Sequence, residues 1–146
     1  FELKLIGATS QEVLDAIEEF KLNTFVNNLG YVSHQEAVEQ QRKSQVLLLI
    51  EIDSEDTKSI IPGKLFEYMV SERPILAIGP KDADFSVILQ QTNTGTFALY
   101  DEKDKVKETI LKYFNLYLEQ NLKVYPVGLQ QYSRKNLTKE LAALLK

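Results

Sequence analysis

The stretch Val46-Leu47-Leu48-Leu49-Ile50 is apolar at every position, and the chain turns polar immediately afterwards, from Glu51 to Ser59. A strand with one wet face alternates apolar and polar residues. A run that is apolar on both faces predicts a parallel strand covered by helices on both sides. Ile60-Ile61-Pro62-Gly63 closes the polar loop, and a helix is expected from about Lys64 to Val70. Arg73-Pro74 then introduces a second apolar run, Ile75 to Ile78, which stops at Gly79-Pro80. Strand, loop, helix and strand in this order make a right-handed βαβ unit, so this region alone sets the fold class as α/β.

The same alternation extends in both directions. Upstream, Leu3 to Ile6 reads as a strand ending at Gly7, and Thr9 and Glu12 have capping-box spacing at the start of a helix. Val13, Leu14, Ile17 and Phe20 lie on one face of that helix. Thr24-Phe25-Val26 is β-prone and leads through Asn27-Asn28-Leu29 to Gly30, after which Ser33 and Glu36 repeat the capping pattern for a helix to about Lys43. Downstream, Phe85, Ile88 and Leu89 mark a fourth helix, and Thr96 to Tyr100 a fifth strand after Gly95. A long helix over about Asp104 to Gln120 places Val106, Ile110, Phe114, Tyr117 and Leu118 on one face. Pro126-Val127-Gly128 breaks the chain before a last amphipathic helix with Leu137, Leu141, Leu144 and Leu145. The expectation is one Rossmann-like domain over residues 1–146, a three-layer αβα arrangement on a parallel sheet of about five strands.

Composition narrows the function. The 146 residues carry 17 Lys+Arg against 21 Asp+Glu, a net charge of -4, with no basic block, which argues against nucleic-acid binding. There is no Cys and a single His34, so neither a thiolate site nor a multi-histidine metal cluster is available. The longest apolar run, Val46 to Ile50, is far too short to span a membrane. The G-x-G-x-x-G and G-x-x-x-x-G-K-[ST] fingerprints are absent, as are a G-x-S-x-G elbow and any Ser/His/Asp set.

Ligands of an open parallel sheet sit outside the carboxyl ends of its strands, which directs attention to the loops from Gly7, Asn28, Glu51, Gly79 and Tyr100. The densest chemistry is Ser59-Ile60-Ile61-Pro62-Gly63-Lys64-Leu65-Phe66-Glu67-Tyr68. Pro62-Gly63 before a helix lets backbone approach a ligand, and unpaired first-turn N–H groups suit an anion such as a pyrophosphate, with Lys64 adding a full charge. Glu67, one turn on, could accept two hydrogen bonds from a vicinal diol such as a ribose. The alternative is local: Gly63 as a turn residue, Lys64 solvated, and Glu67 favouring a helix start. His34, next to the cap Ser33, has the same two readings, reaching a cleft or packing locally.

The run Pro62-Gly63-Lys64-Leu65-Phe66-Glu67-Tyr68-Met69, followed by Arg73-Pro74-Ile75-Leu76-Ala77, resembles the "PGKLFEYLA…G.PVLA" segment of GT-B glycosyltransferases of the group 1, GT4-like kind. Phe1 to Gly7 is similar to the "f.L.iiG" strand, and Asn28 to Ala37 to "v.flGyv.h.ea". Ser44 to Leu49 is similar to "sdvlll", and Tyr132 to Thr138 to the "ysr..lt..la.ll" tail. The resemblance covers nearly the whole chain in order.

The resemblance implies the C-terminal, donor-binding half of a GT-B enzyme that transfers a sugar from a UDP- or GDP-linked donor to a glycan or lipid-linked acceptor, in polysaccharide biosynthesis. It implies that Glu67, the second Glu of an E-x7-E motif, binds the ribose hydroxyls. The first Glu is replaced by Ser59, so the sugar contact credited to it has no carboxylate here, as is often so in chains with the PGKLFEY segment. Gly63, Lys64 and Leu65 would face the diphosphate or sugar, and Gly30-Tyr31-Val32 would lie against the base. The catalytic base and the cationic diphosphate clamp would belong to an N-terminal domain and a first strand-helix unit preceding Phe1, so no catalytic residue is expected among these 146. No cofactor or metal is implied, and the expected location is the cytoplasm or the inner face of its membrane. In the family's strand order, 3-2-1-4-5-6, the first strand would be missing, which leaves an edge prone to self-association. Competing readings are a nucleotide-sugar epimerase of the same architecture, a scaffold domain, and a receiver-like signalling module, whose acidic pair is replaced by Gly7-Ala8-Thr9-Ser10.

Overall fold

A computed structural model describes residues 1–145, which form two compact units, Phe1–Gln40 and the chain from Gln41 onward. In the first unit, β1 (Leu3–Ile6), α1 (Gln11–Glu19) and β2 (Val26–Gly30) make a parallel βαβ pair. The cap of α1 is Ser10 rather than Thr9: Ser10 is extended and its hydroxyl accepts from Val13 N–H, while Thr9 Oγ1 lies 3.3 Å from Asn28 Oδ1. The second strand also begins later than its β-prone residues suggest. Thr24 and Phe25 form a turn, and Asn27 and Asn28 enter the strand instead. Pairing with β1 overrides their propensity, helped by Asn27 Nδ2 donating to Glu2 at 3.0 Å and by Asn28 Oδ1 accepting from the Gly30 N–H at 3.3 Å. Next comes α2 (His34–Lys43), whose start follows the capping pattern, with Ser33 Oγ accepting from Glu36 N–H at 3.2 Å.

The second unit holds β3 (Leu47–Ile50), α3 (Gly63–Met69), β4 (Ile75–Gly79), α4 (Asp84–Thr92), β5 (Gly95–Leu99), α5 (Lys103–Leu118) and α6 (Arg134–Leu144). Its strands are parallel in the order β3-β4-β5, with Leu47 opposite Ile75 and Ile75 opposite Gly95. Among the described residues the fold is thus α/β with parallel strands, but its five strands are divided into sheets of two and three, where one sheet is expected from the sequence. Among the described residues no helix is long and apolar enough to cross a membrane.

One face of the three-stranded sheet is closed. Leu49, Ile75 and Ala77 pack with Leu65 and Met69 of α3 and with Phe85, Ile88 and Leu89 of α4, and Phe85 meets Phe97 edge-on at 5.6 Å. The buried Thr92 hydroxyl donates to Ile88 C=O at 2.6 Å and pairs with Thr94 Oγ1 at 2.9 Å. The opposite face departs from expectation. Leu48 and Ile50 are exposed, so β3 is covered on one side only. The long helix also buries a different face from the one its apolar spacing picks out. Thr109 and Tyr113 are buried, because Thr109 donates to the Lys105 carbonyl and Tyr113 hydrogen-bonds Thr96 at 2.9 Å, while Ile110, Phe114, Tyr117 and Leu118 are exposed. The four α6-region leucines, Leu137, Leu141, Leu144 and Leu145, are exposed as well.

Candidate functional site

The polar loop that leaves β3 is held at three points, and these aim the start of α3. Buried Thr57 donates its hydroxyl to Ile52 C=O at 2.6 Å and lies 2.9 Å from Ser54 C=O, which folds the loop on itself. Asp84 N–H donates to the Lys58 carbonyl at 2.8 Å, tying the loop to the first residue of α4. The Tyr100 hydroxyl donates to the Glu51 carbonyl where the loop begins. Lys58 pairs with Glu55 at 2.6 Å, and that hydrogen bond raises the Lys58 pKa above its ordinary value.

From this loop the chain enters α3 through Pro62, which is extended and offers no side-chain cap. The Leu65 N–H turns back to the Pro62 carbonyl at 2.9 Å, which leaves the Gly63 and Lys64 N–H groups as the open donors of the first turn. Leu65 itself is fully buried in the core, so its side chain anchors the helix and does not face a ligand. Lys64, Glu67 and Ser59 are exposed. No atom stands within 4 Å of where a Cβ on Gly63 would sit, and its backbone is right-handed. Nothing in the fold therefore asks for glycine there.

Gly63 and Glu67 lie one above the other on the same face of α3, about 6 Å apart along the axis. Beside that face Gln41 Nε2 stands 3.5 Å from Glu67 Oε2, long for a hydrogen bond, so the carboxylate keeps acceptor capacity for hydroxyls. Burial first, and then the neighbouring Glu67 charge, pushes the Tyr68 phenol above its ordinary pKa, so it stays a neutral donor at physiological pH. Open N–H groups at one end and a carboxylate at the other can hold an anion and a diol on a single ligand.

The remaining predicted residues belong to the first unit. There β1 and β2 are parallel, so Gly7 to Ser10 and Tyr31 to Ser33 leave the same, carboxyl end of the pair. Gly30, at φ +64°, turns the chain out of β2, and its carbonyl accepts from Gly7 N–H at 2.7 Å. Beyond it Tyr31 is 86% exposed, Val32 is half-buried, and His34 is an exposed first residue of α2. Tyr31 therefore presents a free ring, and His34 neither packs in a core nor caps a helix.

One feature has no counterpart among the predicted site residues. At the carboxyl ends of β3, β4 and β5 an open apolar cavity of about 240 Å³ is lined by Ile50, Ile78, Leu99, Tyr100, Lys103 and Val106. Alternate strand residues point to opposite faces, so Ile50 and Ile78 place it on the face away from Leu49, Ala77 and α3. The loop from Tyr100 is among those marked by strand ends, but the apolar lining residues are indistinguishable from core residues in sequence. Compared with family models, curated proteins and solved structures, the chain finds no match.

Proposed function

We propose that this chain is the donor-binding part of a nucleotide-diphosphate-sugar-dependent glycosyltransferase, holding a UDP- or GDP-linked sugar for transfer to a glycan or lipid-linked acceptor. The observation that carries the reading is the exposed face of α3. There an unobstructed Gly63 with open N–H groups precedes an exposed Glu67 by one turn. A nucleoside diphosphate has its anionic groups and its ribose diol at a comparable spacing. The ordered resemblance of the Pro62 to Ala77 segment to GT-B enzymes supports the same assignment.

In this reading Glu67 accepts both ribose hydroxyls, and Gly63 and Lys64 meet the diphosphate. The catalytic base belongs to a further domain, and the whole enzyme works in the cytoplasm or at the inner face of its membrane. The test is titration calorimetry with UDP, GDP and ADP, on the chain as it stands and with Glu67→Ala. One diphosphate binds, and the substitution removes hydrogen bonds to a charged acceptor worth about 2 kcal/mol, roughly a thirtyfold loss of affinity. Binding of none of the three, or an unchanged affinity for Glu67→Ala, defeats the assignment.

A further inference from the structure

We propose that the outer edge of β3 is a self-pairing edge, through which two copies of this chain join antiparallel with Leu48 of each opposite Ile50 of the other. Leu47 N–H donates to Pro74 C=O at 3.0 Å, and Glu51 N–H donates to Ile78 C=O at 2.9 Å. Peptide groups alternate along a strand, so the N–H and C=O of Leu48 and Ile50 point away from β4, along an edge that has no neighbour in its sheet. Antiparallel pairing about a twofold axis brings these groups together. With Leu48 opposite Ile50, every outward N–H and C=O of both strands is paired, and four hydrogen bonds form.

Apart from its short length of four residues, the edge carries none of the features that keep strands apart. Leu47 to Ile50 contains no Lys and no Pro, and its register against β4 runs without a bulge. The surface beside it is apolar too. Leu48 is 36% exposed, Ile50 57% and Ile52 69%. On α5 a stripe at helical spacing continues it, with Ile110 37%, Phe114 46% and Tyr117 51% exposed. The cavity lined by Ile50, Ile78 and Val106 brings the first turn of α5, from which that stripe runs, to the carboxyl end of β3.

Together these six side chains expose on the order of 500 Å² per copy, and a pair would bury about 1,000 Å², near the lower bound for a specific interface. An edge that is self-complementary, uncharged and of this size favours a second copy as its occupant. The pairing uses none of the residues assigned to the nucleotide, but the two readings meet at this edge, since in the GT-B strand order a strand preceding Phe1 would lie beside β3 and compete with the second copy.

Sedimentation of the whole chain from about 5 to about 500 µM is expected to show monomer giving way to dimer. Ile50→Lys sets an ammonium on the edge and is expected to weaken the dimer at least tenfold. Its circular dichroism, and its melting at about 5 µM where the chain is monomeric, should be unchanged, because Ile50 is largely exposed. The chain has no cysteine, so a second measurement is free of background. In a mixture of Leu48→Cys and Ile50→Cys chains, the paired residues would stand about 5.5 Å apart at Cα, within disulfide reach, so the mixed disulfide should outrun both homodimers. A monomer throughout overturns the proposal and leaves the edge to a strand of another sequence. A dimer indifferent to Ile50→Lys overturns it, and so do homodimeric disulfides that form as readily as the mixed one.

Discussion

Gly63→Ala separates a glycine kept for a ligand from one kept for the fold. The place of the new Cβ is empty to 4 Å and the backbone there is right-handed, so the methyl meets no atom and no strained dihedral. Replacing glycine inside a helix removes unfolded-state freedom, and at the first helical position the gain is about 0.5 kcal/mol, roughly 1–2 °C in Tm. Binding moves the other way. A ligand that approaches the Gly63 and Lys64 N–H groups to hydrogen-bonding distance meets the methyl, and a loss of about tenfold to a hundredfold in affinity, about 1.4–2.7 kcal/mol, follows. Gly95→Ala serves as the contrast, since a Cβ there stands against the Ile75 carbonyl, fixed in the β4–β5 ladder, and costs about 3 kcal/mol. Thermal melts and nucleotide titration on the two variants check both halves. If Gly63→Ala lowers stability by more than about 1 kcal/mol, the glycine belongs to the fold and the argument from empty space is wrong. If it leaves nucleotide affinity unchanged, no ligand passes over the start of α3.

Two further outcomes follow from groups away from the site. Thr92→Val removes a buried hydroxyl and strips the Thr94 hydroxyl, 1% exposed, of its partner, so denaturant unfolding should register a loss of about 1–2 kcal/mol. The Glu102 carboxylate accepts from Leu99 N–H at 2.8 Å and from Lys105 at 2.9 Å, and these bonds, the backbone one foremost, hold its pKa below the ordinary 4.5. A lowered folded-state pKa means a contribution present above pH 4.5 that fades as the pH falls through the folded value. The stability difference between the chain and Glu102→Gln, followed by melting against pH, should therefore narrow on the acid side only. A difference that persists undiminished into strong acid would show that the carboxylate charge plays no part.

How much of this was legible in sequence depends on which force decides each element. Strands and helices of the second unit follow their apolar runs closely, because β4 and α4 are buried on most sides and burial is what periodicity records. Boundaries set by a single hydrogen bond are less visible. Thr9 and Ser10 are both capping residues, and only the extended backbone of Ser10 and its bond to Val13 separate them. Asn27 and Asn28 read as loop because their strand character comes from β1, far away in the chain. For the candidate site, Gly63, Lys64 and Glu67 could be placed on one helix start from spacing alone. Whether Leu65 faces a ligand or the core could not be, since both roles suit an apolar residue next to a glycine.

The two largest departures share one cause, and it bears on what the second unit does. Reading β3 as covered on both faces, and reading Ile110, Phe114 and Tyr117 as the buried face of α5, both equate an apolar pattern with burial inside the chain. Both fail on the same side of the same sheet, where Leu48 and Ile50 stand exposed beside that helix. Scattered exposed apolar residues are ordinary on a protein surface, whereas a contiguous set next to an unpaired strand edge is not. Tyr113 and Thr109 can take the buried face of α5 because their hydroxyls are satisfied by Thr96 and Lys105, which releases the more apolar stripe to point outward. The proposed second copy would bring to this side both an apolar surface and a strand for the open groups of Leu48 and Ile50.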